Sequence, residues 1–252
     1  MDELIDRIVG FLRAARSILF ITGAGISADS GLPTYRGVGG LYNSGQTEEG
    51  MPIEVLLSGH VFQTRPQLTW KYLSQIEQAL RGAACNRGHQ VIAEMERHFE
   101  RVWVLTQNVD GLHHLAGSQN VIDIHGDMHE LICTRCSFRE RVTDYSDLTF
   151  PPRCPDCAGL LRPEVVLFGE MLPARQLTVL YDQLDAGFDL VFSIGTSSVF
   201  PYIAEPVERA HREDKPSVEI NPDKSEVSEL ATIRLPLGAA AALETIWQRF
   251  RA

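Results

Sequence analysis

The chain has 252 residues, 44% of them apolar and 22% charged, with a formal net charge of −10. That length suits one large domain, or one carrying a smaller insertion. The acidic balance argues against a nucleic-acid partner, which needs clustered Lys and Arg, and no apolar run approaches the ~20 residues of a membrane helix.

The chain opens on an amphipathic helix whose first residues, Met1-Asp2-Glu3, are acidic rather than those of a secretory signal, and whose apolar face reaches Phe11 and Leu12. With no signal, a reducing cytoplasm is the expected setting, where cysteines serve metals or catalysis rather than disulfides. Ile18–Ile21 reads as a buried parallel strand delivering Gly23, Gly25 and Ala28 in a G-x-G-x-x-[GA] spacing, which suits close backbone approach to a pyrophosphate. A hydride-transfer unit would continue with a full helix, a second strand and a ribose-binding acid about 20 residues on. The sequence runs instead into Asp29-Ser30-Gly31-Leu32-Pro33-Thr34-Tyr35-Arg36-Gly37, where Pro and Gly cannot sustain a helix. The expectation is a loop over Asp29–Gly40 that brings one aromatic and one cation over a bound cofactor.

Residues 41–84 lack a strand signal and read as helices around Val55–Leu57 and Leu68–Leu80. Beyond them a helix over Gly88–Arg97 precedes a strand over Val102–Leu105, which ends in Thr106-Gln107-Asn108-Val109-Asp110. Amide and carboxylate groups at a strand's C-terminal end suit a carboxamide and ribose hydroxyls, although Asn and Asp serve equally as turn and cap residues. Val121–Ile124 predicts another strand, and His125 after it is the histidine placed like a general base. His113 and His114 read as facing a helix end or solvent, and His98 and His129 as surface or packing residues.

Cys133-x-x-Cys136 and Cys154-x-x-Cys157 lie seventeen residues apart, the pattern of two knuckles closing four thiolates on a structural zinc with no open coordination site. Cys85 is left over and reads as a buried structural thiol. The strand Leu190–Ile194 leads into Gly195-Thr196-Ser197-Ser198, a helix follows over Val199–Arg212, the strand Ser217–Ile220 ends at Asn221, and a last helix spans Ala239–Phe250. Strands alternating with helices predict a doubly wound, mainly parallel, Rossmann-like α/β sheet. Its expected parts are 1–40, 85–126 and 165–252, with 41–84 (helical) and 127–164 (zinc ribbon) forming a smaller domain.

Taken jointly and in order, Gly23-Ala24-Gly25-Ile26-Ser27, Tyr35-Arg36-Gly37, Thr106–Asp110, His125-Gly126, the four cysteines, Phe168-Gly169-Glu170, Gly195-Thr196-Ser197 and Ile220-Asn221 resemble the sirtuins, NAD-dependent protein deacylases, from about residue 10 onward. The resemblance implies an acyl-lysine protein as substrate and NAD as a consumed co-substrate. Gly23, Ala24, Gly25, Ile26, Tyr35, Arg36, Gln107, Asn108, Asp110, Gly195, Thr196, Ser197, Asn221 and Ala240 would lie around NAD. It further implies that Asn108 and His125 are catalytic. The acyl oxygen attacks the ribose carbon, nicotinamide leaves, and His125 takes a proton from the ribose hydroxyls. Val165, Val166, Phe168 and Gly169 would line the acyl-lysine tunnel, with backbone pairing to the substrate peptide. Two departures bear on the acyl group. Thr34 stands where many deacetylases have Asp, a feature of the branch that removes acidic acyl groups. That branch's Tyr-x-x-Arg clamp, however, aligns with Leu73 and Ile76. A buried carboxylate without a cation is costly, so acetyl or longer aliphatic groups are expected over succinyl. Protein mono-ADP-ribosyl transfer and a non-enzymatic zinc-ribbon module are the competing readings, a dehydrogenase the third. Nothing in the sequence calls for more than a monomer.

Overall fold

The structure, a computed structural model, describes residues 1–33 and 47–252. In chain order its elements are α1 (Asp2–Ala14), β1 (Ser17–Thr22), α2 (Ala24–Ser27), α3 (Ile53–Leu56), α4 (Gly59–Thr64), α5 (Pro66–Leu80), α6 (Arg87–Glu96), β2 (Arg101–Thr106), α7 (Leu112–Ala116) and β3 (Val121–Asp123). There follow β4 (Gly126–Cys133), β5 (Arg139–Arg141), β6 (Leu161–Val165), α8 (Ala174–Asp185), β7 (Leu190–Ile194), α9 (Pro201–Arg212), β8 (Ser217–Ile220), β9 (Ile233–Leu235) and α10 (Ala239–Arg251).

Six strands form one parallel sheet in the order β3-β2-β1-β7-β8-β9. Numbered within that sheet alone the order is 3-2-1-4-5-6, the doubly wound arrangement whose topological switch point lies between its first and fourth strands. β1 alternates its side chains between two cores. Ile18 and Phe20 face the cluster built with α1, α6 and α10, while Leu19 and Ile21 face the one built with α8 and α9. A strand buried on both faces must be apolar throughout, which is why Ile18–Ile21 was legible as one. Phe20 stacks on Phe192 of β7 at 5.0 Å and holds the two strands that flank the switch point.

The predicted strands all form. The short β9 and the helix α8 are additional to the sequence expectation, and α9 starts at Pro201 rather than Val199. After β1 the chain makes only a four-residue helix and a 3-10 turn over Ala28–Ser30, closed by Gly31 at φ 81°. That agrees with a phosphate-binding-type turn that does not continue as a helix. Thr34, Tyr35 and Arg36, with most of the expected cover loop, lie outside the described residues.

A second sheet is small and antiparallel, in the order β5-β4-β6. Helices α3–α5 pack on it through one shared apolar cluster that holds Leu56, Phe62, Trp70 and Leu73 together with Met128, Leu131 and Tyr145. Trp70 meets Tyr145 edge-on at 5.5 Å and donates its indole N–H to the Leu161 carbonyl at 3.0 Å. The helical segment and the cysteine-bearing segment, distant in sequence, thus share a core.

Candidate active site

The switch point is built by two loops that touch through bare backbone. Gly25 donates its N–H to the Gly195 carbonyl at 2.9 Å, and Gly23 donates to the carbonyl of Ile194 at 3.1 Å. A Cβ on Gly25 would sit 2.5 Å from the Cα of Gly195, and one on Gly23 2.7 Å from its carbonyl oxygen. The glycine spacing read as a pyrophosphate cradle is therefore demanded first by loop-to-loop contact, and both of those amides are engaged within the protein. Thr196 is buried in the second loop, where its hydroxyl accepts from Gln107 Nε2 at 2.7 Å and its carbonyl accepts from Asn221 Nδ2 at 2.9 Å. Ser197 is exposed beside it. Ala240, at the start of α10, donates its N–H to Asp29 at 3.1 Å, which ties the end of the glycine loop to the last helix.

Asn108 and Asp110, beyond the end of β2, are both buried. Asn108 Nδ2 donates to the Gly23 carbonyl (3.1 Å) and to Ser27 Oγ (3.2 Å). Ser27 in turn donates to Asp110 at 2.7 Å, and the second Asp110 oxygen accepts from the Leu112 N–H at 3.0 Å. Burial raises the Asp110 carboxyl above the usual range, against the opposing pull of those two donors. Ala24, Ser27, Leu32, Pro33, Leu80, Asn108, Val109 and Asp110 enclose a pocket at this point, and Ile26 is fully buried behind it.

His125 follows β3 at the same sheet edge. Its Nδ1 lies 3.0 Å from the Gln107 carbonyl, which can only accept, so Nδ1 carries the proton and Nε2 keeps the lone pair. Burial lowers the imidazole's pKa, opposed by that carbonyl, so the ring is neutral at pH 7 and able to accept a proton. Gly126 fixes the chain's exit at φ 86°, where a Cβ would collide with the Glu164 carbonyl. Nε2 lies 2.7 Å from the hydroxyl of Tyr202, a residue of α9 that carries no motif and that the sequence reading missed.

His113 corrects its expectation. It is fully buried, with Nε2 2.9 Å from Thr22 Oγ1 and its ring 4.9 Å from that of His89. A five-residue helix pinned between α6 and β1 leaves no solvent face at that position. Cys85 is only half-buried, since it sits in the loop before α6 rather than in a core. His129 pairs with Asp127 at 2.9 Å, while His98 packs edge-on to Phe99, Trp247 and Phe250.

Val165 and Phe168 pack with Leu73, Ile76 and Val109 in the apolar cluster of the smaller sheet, which brings together four of the six residues expected around the acyl chain, without Val166 and Gly169. β6 ends at Val165, and the Val166 N–H donates to the His125 carbonyl at 2.9 Å. Phe168 already spends its N–H on Leu57 and its carbonyl on Gly59, so its own backbone is paired within the protein. Gly169 takes φ 81°, and Glu170 closes the turn by accepting from Arg162 at 2.6 and 2.9 Å.

The four cysteines converge as the spacing required. All their sulfurs lie within 4.8 Å of one another, with Cys133–Cys157 at 3.5 Å and Cys136–Cys154 at 3.6 Å. Tetrahedral zinc with ~2.3 Å bonds needs sulfurs about 3.8 Å apart, so the set fits that ion. The N–H groups of Arg135 and Gly159 point at Cys133 and Cys157 from 3.3 and 3.4 Å, as donors that stabilise thiolates.

A model of the Sir2 family matches residues 23–201. The chain belongs to the Sir2 family. Among its relatives are NAD-dependent protein deacylase 2 of Pseudomonas syringae pv. tomato (49% identity, 91% of this chain and 93% of that one) and NAD-dependent protein deacylase 2 of Pseudomonas aeruginosa (48%, 89% and 88%). The fold superposes on a Sir2 homolog–NAD complex with a TM-score of 0.88, at 31% identity over 98% of this chain and 93% of the other. A Sir2 complex with deacetylated p53 peptide and 3'-O-acetyl ADP-ribose matches with a TM-score of 0.86, at 27% identity over 97% and 98%. Membership of the Sir2 family accounts for a dinucleotide-type turn that stops short.

Proposed function

We propose that this Sir2-family chain is an NAD-dependent protein lysine deacylase that prefers acetyl and longer aliphatic acyl groups, with His125 as its general base. The observation that carries the reading is the tautomer of His125. A neutral ring, tied through Nδ1 to the Gln107 carbonyl, presents one lone pair beside the buried Asn108–Ser27–Asp110 set at the switch point. The glycine spacing after β1 and the short turn that follows it suit close approach of a dinucleotide's phosphates at the switch point.

When bound, NAD supplies a ribose carbon that can accept the acyl oxygen as nicotinamide departs. Asn108 and Asp110 orient the carboxamide end; Asp110, shifted by burial toward its protonated form, avoids placing a full charge there. Thr196 and Asn221 brace the second loop beside Ser197, and Ala240 ties the end of the glycine loop to α10, both toward the adenosine end. Tyr35 and Arg36 would cover the ribose face. Val165, Val166, Phe168 and Gly169 bound the acyl chain, with Leu73 and Ile76 at its far wall. His125 takes the ribose hydroxyl proton at Nε2, a contribution typically worth 10²–10⁴-fold. Zinc held by Cys133, Cys136, Cys154 and Cys157 is structural, since protein fills every coordination position. The division into a large domain and a small one, at the boundaries given above, belongs to this proposal. So do a monomeric state and a cytoplasmic setting. No helix among the described residues is long and apolar enough to cross a membrane.

Mass spectrometry of an acyl-lysine peptide panel, with and without NAD labelled in the ribose, tests the reading. The expected products are free lysine and soluble acyl-ADP-ribose, formed only with NAD and reduced at least a hundredfold in His125→Ala. Stable label on protein would assign ADP-ribosyl transfer instead. NAD-independent behaviour that survives His125→Ala would leave a binding module.

A further inference from the structure

The base is not free in this geometry. Its Nε2 lone pair is engaged by the Tyr202 hydroxyl at 2.7 Å. Because Nδ1 holds the ring's proton against Gln107, Tyr202 is the donor and Nε2 the acceptor. Tyr202 is set for this contact. It lies in the first turn of α9, begun by Pro201, and its ring stacks on Phe200 with centroids 5.5 Å apart and planes at 14°. Both rings meet the imidazole edge-on, at 5.8 and 6.0 Å. Burial pushes the phenol up to about 12, which keeps it a neutral donor throughout the working range.

A neutral imidazole has one lone pair, so a hydroxyl that gives its proton to Nε2 and the Tyr202 hydroxyl cannot occupy it together. We propose that Tyr202 is a positioning residue that holds the His125 lone pair until a ribose hydroxyl displaces it, making cofactor binding and release of the base a single event. No covalent step is added. One hydrogen bond to Nε2 is exchanged for another, and the phenol turns to solvent or to the incoming ligand. The contact keeps the ring in its reactive tautomer and orientation, while cofactor affinity is reduced by the strength of the bond displaced. The inference rests on His125 being the base.

Tyr202→Phe removes the hydroxyl and keeps the stacked ring of a half-buried side chain, so the fold should be retained. In the full-length protein without NAD, NMR titration of the His125 imidazole is expected to move upward by roughly half to one unit, because a bond that favoured the neutral form is lost. The Kd for NAD by calorimetry should fall about two- to tenfold, with the change appearing in KM for NAD rather than in kcat. An unmoved titration with unchanged Kd, while His125→Ala is inactive, overturns the competition and leaves the base reading standing. A tenfold loss of kcat at constant Kd overturns it in favour of Tyr202 as a proton carrier. Full deacylase activity in His125→Ala would sink the base reading, and the competition with it, whatever the titration shows.

Discussion

The parallel sheet and the small antiparallel one meet at the same cleft but reach stability by different routes. At the switch point of the large sheet the polar groups satisfy one another: Asn108 on Gly23 and Ser27, Ser27 on Asp110, Gln107 on Thr196, Asn221 back to Thr196. The loops are held by two apolar cores behind them. The small sheet has three strands, one of them only three exposed residues long, and its cysteine end buries little beyond Cys133, Cys154 and Leu161. A core that small does not hold a fold alone, so the thiolate cluster must. The large sheet thus fixes its loops by packing on both faces, whereas the cysteine end of the small sheet depends on its four thiolates.

The largest expected effect follows from that contrast. Four-thiolate zinc sites in small folds contribute on the order of 10 kcal/mol. Chelation under reducing conditions, or Cys136→Ala, should make residues 127–164 protease-sensitive and abolish deacylation. The circular dichroism of the parallel sheet and helices α1, α6 and α10 should largely remain. Unchanged protease resistance after stoichiometric metal loss would show that the small sheet stands without its cluster.

A smaller effect separates the regions by pH. His89 and His113 lie buried between α6, α7 and β1 on the large-sheet side, with His89 Nε2 and His113 Nδ1 lacking hydrogen-bond partners. Burial drops His89 to about 4 and His113 well below its usual value. Well above pH 6.5 both are neutral in the folded and unfolded chain, so the proton linkage fades there. As pH falls from 6.5 toward 4 the unfolded chain takes up protons that the folded one refuses, and stability is lost. His89 alone should remove about 3 kcal/mol over that window. Urea melts at pH 7 and pH 4.5 measure it. A His89→Gln variant should reduce the dependence, leaving the part that His113 carries, and a slope unchanged by it would locate the acid sensitivity elsewhere.

The same contrast governs what sequence could disclose. β1, β2 and β7 are buried on both faces, so their apolar runs announced themselves, and the residues just after them were legible as a site. The cysteines were legible because metal geometry dictates spacing. β9, three residues long, and α8, with only Leu180 and Leu184 buried, carry too little pattern. His113 was misplaced because its burial comes from α6 and from Thr22 on β1, 91 residues earlier. Tyr202 was invisible for a related reason. A tyrosine in the first turn of a helix has no signature, and only the packing of α9 on β7 and β8 sets its hydroxyl on His125.

The finest test concerns the acyl group, whose proposed binding wall lies on the small-sheet side. Leu73 and Ile76 sit one helical turn apart on α5, in contact with the cluster that includes Val109, Val165 and Phe168. A terminal carboxylate brought to that wall gives up water, and Arg162, the cation beside Val165 among the described residues, is already paired with Glu170. Arg81, further along α5, is already held by Glu77 through Nε at 3.1 Å and Nη2 at 2.6 Å. Desuccinylation should therefore trail deacetylation by about ten- to a hundredfold in kcat/KM, the range expected for an imperfectly paired charge in a partly open tunnel. Ile76→Arg places a cation at that half-buried position and should narrow the gap by about tenfold, mainly by speeding desuccinylation more than it slows deacetylation. If wild-type protein removes succinyl groups fastest, the wall is not where the acyl terminus lies, and selectivity must come from Thr34 and its loop. If Ile76→Arg leaves the ratio unchanged while Leu73→Ala still weakens binding of long aliphatic acyl groups, the apolar wall holds and only the site of charge recognition moves.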